Sequence, residues 1–149
     1  GGVPPAGSIM LFGSATPPTG WLNCDASAVS RTTYSVLFTA ISTTWGVGDG
    51  STTFNLPDLL GRTPIGIGTG SGLTARTIAA KTGTETHALS IAELAAHTHT
   101  ATGATAYSGA AAGAVTVATA TGVVTSSTGS GTAHNNMQPS IAVNFIIKY

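Results

Sequence analysis

His97-Thr98-His99 places two imidazoles one residue apart. Side chains of an extended chain repeat every two residues, so the two rings leave the same face and form a pincer for one metal ion. Two nitrogens complete no metal's coordination shell. The stretch that follows, Thr100 to Thr132, is built almost wholly of Ala, Thr, Gly, Ser and Val and has too few large apolar groups for a core of its own. The missing ligands and the missing core are therefore expected from other copies of the chain. On spacing alone, exposed histidines beside a loop remain the plainer reading.

Other chemistry-bearing residues are sparse. His87 lies in a polar Thr-Glu-Thr-His run and His134 opens the Asn135-Asn136 turn; both are read first as hydrogen-bonding residues. A supporting role for His134 behind a metal ligand is the alternative. Asp58 and Arg62, four apart, read as a local salt bridge, with a sugar-binding pair as the lesser option. Cys24 has no base in its neighbourhood to activate it, and reads as a small buried hydrophobe. Asp25, Asp49, Asp58, Glu85 and Glu93 are too few and too scattered for a paired-carboxylate hydrolase. No nucleophile-elbow or phosphate-loop motif occurs. The reading is of a protein that is not an enzyme.

Composition narrows the partners. Charged residues are 7% of the 149, with five Lys and Arg balancing five Asp and Glu; a typical soluble domain carries ~25%. No net field favours nucleic acid or an anionic membrane. No apolar run approaches the ~18 residues of a membrane span. Low charge with abundant Thr, Ala and Gly suits a β-rich oligomer. The start at Gly1-Gly2 reads as a fragment or processed product of a longer chain.

The elements that would position the histidines can be read in order. Gly1 to Gly7 is a leading linker. Ser8 to Gly13 is an apolar strand, and Trp21 to Cys24, after the turn Pro17-Pro18-Thr19-Gly20, is expected to be its partner. A helix capped by Ser30 or Thr32 presents Tyr34, Leu37, Phe38 and Ile41 at i, i+3, i+4 and i+7. Gly46, Gly48 and Gly50 interrupt regular structure, with Asp49-Gly50 as a turn. Thr53 to Leu60 is a tight segment containing Pro57, and Gly66 to Gly72 and Thr82 to Thr84 are loops. Ser90 to Glu93 is a capping box that predicts a helix running through Ala95-Ala96 to His97. Ile141 to Ile147 is a final strand predicted to pair with the first. The expected core is Trp21, Trp45, Phe12, Phe38, Phe54 and Phe145.

Several of these segments together carry a family pattern. Gly20 to Asp25, Ser30-Arg31, Tyr34 to Phe38 and the run Gly46 to Arg62 (Gly-Val-Gly-Asp-Gly-Ser-Thr-Thr-Phe-Asn-Leu-Pro-Asp-Leu-Leu-Gly-Arg) resemble the phage tail collar domain. The resemblance continues through Leu94 to His99 and Ala133 to Ser140, leaving out residues 101–131. The chain departs from the pattern at Ala26, where Gly often follows Cys-Asp, at Ala95, where Pro is common, and at Ser140, where an aromatic is frequent.

The resemblance implies an α+β, β-rich fold. A small collar domain with one or two short helices carries an extended, intertwined β tip in a homotrimer. Residues 1–96 would be the collar, 97–132 the tip, and 133–149 the return strand. It also implies the receptor-binding tip of a tail fibre, at the distal end of the virion's fibre beyond an upstream shaft. Such a tip adheres to a host-surface glycan or lipopolysaccharide. In fibres of this kind the paired histidines of three chains hold one metal on the trimer axis.

Three-fold symmetry would supply His97 and His99 in triplicate, six imidazoles at roughly 2.0–2.2 Å, unlike the four-coordinate geometry of structural zinc. Octahedral nitrogen suits ferrous iron, nickel or cobalt, with zinc possible where the geometry is imposed on it; one metal per trimer is expected, iron first, with zinc or nickel as alternatives. A filled shell makes the metal structural. In the tip, Tyr107 and the hydroxyls of Thr105, Ser108, Thr119 and Thr121 are the groups that would face the receptor. The competing expectations are a structural fibre or baseplate segment without adhesion, and a bacterial protein of the microcystin-dependent type.

Overall fold

The computed structural model describes residues 2–96 and 130–149. They form two compact units. The first comprises residues up to Gly83 together with Gln138–Tyr149, and the second is Thr84–Met137.

Four strands and a helix open the first unit: β1 (Ile9–Phe12), β2 (Trp21–Asn23), β3 (Ala28–Ser30), α1 (Ser35–Ile41) and β4 (Thr53–Asn55). In the second unit lie β5 (Thr86–His87), a 3-10 turn at Ile91–Glu93, and β6 (His134–Asn135). The last strand, β7 (Asn144–Lys148), returns to the first unit. An α+β, β-rich class describes these elements.

The main sheet has the order β1-β7-β2, every pair antiparallel. Ile9 faces Ile147 and Leu11 faces Phe145, so the final strand does pair with the first. β2, however, is not the partner of β1: it pairs on the other side of β7, with Leu22 opposite Ile147. The connection at residues 13–20 is too wide for a tight hairpin, whose favoured loops have two residues. β7 takes the centre, where both of its edges are paired.

One face of β7 packs the core. Cys24, Leu37, Phe54, Leu56 and Ile147 are buried together, and Leu22, Val29, Tyr34, Phe38, Ile41, Leu59, Phe145 and Tyr149 pack around them. The predicted aromatic core is thus half right. Phe54, Phe38 and Phe145 belong to the cluster, whereas Phe12, Trp21 and Trp45 are half-buried outside it. Phe12 and Trp21 lie on the two outer strands of the sheet, and Trp45 sits at the mouth of a glycine-rich loop.

The helix face matches its predicted spacing, with Leu37 fully buried. Its cap differs. The Ser30 hydroxyl accepts the Thr33 N–H at 3.2 Å, in the turn before the helix, and Tyr34 holds the N-cap position with no side-chain bond. Neither Ser30 nor Thr32 caps α1.

β3 and β4 pair antiparallel, Val29 opposite Phe54. The loop before β4 is held by Asp49, whose Oδ1 accepts the N–H groups of Ser51, Thr52 and Thr53 at 2.9, 2.8 and 2.9 Å. These donors keep the Asp49 carboxyl well below the usual range, the Thr52 hydroxyl contributing most. Gly48 is required here. It lies at φ +63, and a Cβ would collide with the Thr53 backbone, its carbonyl carbon at 2.5 Å. Residues 61–83 carry only the isolated bridge Gly68–Arg76 and are otherwise loop.

Candidate functional site

In the second unit the chain approaches and leaves residues 97–129 through a two-stranded stem. β5 and β6 pair antiparallel, Thr86 opposite Asn135 and His87 opposite His134. The Asn136 N–H extends the ladder by donating to the Glu85 carbonyl at 2.8 Å. Beyond β5, the Ser90 N–H and hydroxyl both donate to Glu93 Oε2 at 2.7 Å, so the predicted capping box is present. The helix it opens is only the 3-10 turn Ile91–Glu93. Leu94 is already extended (φ −82, ψ 137), and no helix runs through Ala95-Ala96. A single turn fixes several dihedrals for one hydrogen bond and does not propagate without further support.

The other oxygen of Glu93 reaches back to the strand: Oε1 lies 2.7 Å from His87 Nε2. The Ser90 donors, and then His87, hold the Glu93 carboxyl down at about 2. The rings of His87 and His134 meet edge to face, centroids 5.9 Å apart and planes at 86°. His87 therefore plays the hydrogen-bonding role expected of it. What the residue reading missed is the convergence of His87, Glu93 and His134. The signal present was Glu93, whose capping role leaves one carboxylate oxygen free for a neighbour.

His97 and His99, the predicted pincer, lie outside the described residues, as do Thr105, Tyr107, Ser108, Thr119 and Thr121. Among the described residues no three His, Cys, Asp or Glu side chains are arranged to hold a metal ion.

In the first unit Asp58 and Arg62 form the expected ion pair, Nε to Oδ2 at 3.6 Å. Lys81 joins them with a direct bond to the same carboxylate oxygen. That bond is the main cause that lowers the Asp58 carboxyl. Asp58 thus ties the loop after β4 back to its far end. Cys24 is buried, and burial followed by the nearby Asp25 charge pushes its thiol up to about 12, the opposite of an activated nucleophile.

The strands and the Asp49 loop of the first unit coincide with a known domain. Residues 7–64 match the phage tail collar domain. The collar match spans β1 to the Asp58–Arg62 pair. A collar domain indicates a component of a phage tail fibre and a place in the virion's tail. No curated protein matches the chain. No helix among the described residues is long and apolar enough to cross a membrane.

Proposed function

We propose that this chain is the receptor-binding tip of a phage tail fibre. Three copies form the tip beyond an upstream shaft, and it adheres to a host-surface glycan such as lipopolysaccharide without catalysing a reaction. The observation that carries this reading is the stem. A collar segment is followed by β5 and β6, which pair with each other although the low-charge, hydroxyl-rich residues 97–129 lie between them in the sequence. A segment whose flanking strands pair with each other suits an insertion better than a link between two folds.

Within the excursion, Tyr107 offers the aromatic face on which a sugar ring can stack. Thr105, Ser108, Thr119 and Thr121 offer hydroxyls. Three copies of His97 and His99 supply a six-imidazole donor set, which suits iron first and zinc or nickel next. Held together in this way, the three chains would present rigid hydroxyls, and affinity would not be lost to ordering a mobile loop on contact.

The test is binding of the chain to immobilised lipopolysaccharides and a panel of bacterial surface glycans. The comparison is a variant in which residues 100–129 are replaced by a short Gly-Ser linker. Saturable binding that disappears with the replacement is expected. Binding that survives it would move the receptor site elsewhere, and no binding to any surface glycan would leave a structural fibre segment.

A further inference from the structure

A cleft of about 230 Å³ opens on the first unit between the first turn of α1 and Tyr149, the residue after β7. Thr33, Tyr34, Ser35, Val36, Leu37 and Tyr149 line it. Pockets for drug-sized ligands run to about 300–1,000 Å³, so this one suits a single small ring.

Two of its walls are aromatic. The rings of Tyr34 and Tyr149 meet edge to face, centroids 4.9 Å apart and planes at 79°, and make a corner. Both are held in place without a ligand. Each packs against the core cluster, and the Tyr149 hydroxyl accepts the Gly20 N–H at 3.3 Å. The Lys148 ammonium lies 5.3 Å from the Tyr149 ring centroid and donates to the Gly20 carbonyl at 3.1 Å, which keeps that corner fixed from behind. Walls already in position cost a ligand no ordering on contact.

The remaining lining is hydroxylated or apolar. Thr33 is bonded through its N–H and Ser35 through its carbonyl, while the hydroxyls of Thr33, Tyr34 and Ser35 have no hydrogen-bond partner among the described residues. Val36, 67% exposed, adds an apolar rim. No Asp, Glu, Lys, Arg or His is among the lining residues, so nothing there calls for a charged ligand. Aromatic walls with a few polar groups are the make-up of a small-molecule site. A pyranose fits that chemistry. One of its faces is a patch of C–H groups that can lie against a tyrosine ring, and its rim is hydroxyls, which Ser, Thr and Tyr can meet as donor or acceptor.

We infer that the Tyr34–Tyr149 cleft is a subsite for one neutral sugar ring. It goes beyond the proposed tip and does not depend on it, because every residue named for it lies in the first unit.

The test follows the backbone amides of the full chain by NMR while D-glucose, D-galactose or N-acetyl-D-glucosamine is added. Sorbitol, which has the hydroxyls of a sugar without its ring, is the control. Saturable shifts at Thr33 to Leu37 and at Tyr149 are expected with at least one of the three sugars, and not with sorbitol. Tyr34→Phe and Ser35→Ala each remove one hydroxyl and keep the aromatic walls, and at least one of them should weaken binding about two- to tenfold. Unchanged amide shifts along β7 show that each variant is folded. An absence of saturation at these residues with all three sugars would overturn the subsite. So would an equal response to sorbitol, or full affinity in both variants. Shifts confined to residues 97–129 would place sugar binding in the tip alone and overturn it too.

Discussion

Ala26 sits at φ +66, in the left-handed region where a side chain is strained. It is held there by its neighbours. Its N–H donates to the Pro57 carbonyl at 3.1 Å, and its own carbonyl accepts from Asn55 Nδ2 at 2.9 Å. The position is the one after Cys-Asp where the collar pattern often has Gly, so the departure visible in the sequence marks a real backbone requirement. A left-handed non-glycine residue costs about 1–2 kcal/mol, and the added freedom of Gly in the unfolded chain returns about 0.5–1 kcal/mol of that. Ala26→Gly is therefore expected to stabilise the fold by about 0.5–1 kcal/mol, read as a higher urea midpoint at unchanged slope. The Asp49 turn was likewise legible as Asp-Gly. Its three-fold capture of backbone N–H groups was not, because it depends on how the loop closes onto β4.

At the scale of elements, α1 is the part whose packing the sequence showed best. Tyr34, Leu37, Phe38 and Ile41 recur at helical spacing, and a seven-residue helix has only one face to bury. Leu37 is fully enclosed while its neighbour Val36 is 67% exposed. Leu37→Ala should cost ~2–5 kcal/mol, whereas Val36→Ala should fall within about 0.5 kcal/mol of the wild type; chemical denaturation of both variants checks the contrast. Strand order was less legible. β1 and β2 are near in sequence, but each finds its partner in β7 at the far end of the chain, and local patterning carries no information about which long-range edge a strand takes. The capping box at Ser90 was readable and the length of its helix was not. A cap marks where a turn begins, while tertiary packing decides how far it continues, and Leu94, half exposed, supplies little.

At the scale of the whole molecule, the proposed tip would be completed by three chains. Low charge, a pincer of two imidazoles and a stretch without a core each leave something unsatisfied in one copy, and three-fold assembly would satisfy all of them together. The collar identity of residues 7–64 was legible because its long Gly-Asp-Gly to Gly-Arg run combines required glycines with fixed polar anchors. The His87–Glu93–His134 contact was not, since it unites residues separated by the whole excursion. Native mass spectrometry with elemental analysis tests the three-chain tip most directly. The account predicts a mass of three chains carrying one transition metal, iron first, and loss of that metal in the double variant His97→Ala with His99→Ala. One metal per chain, or a metal-free trimer, would contradict it.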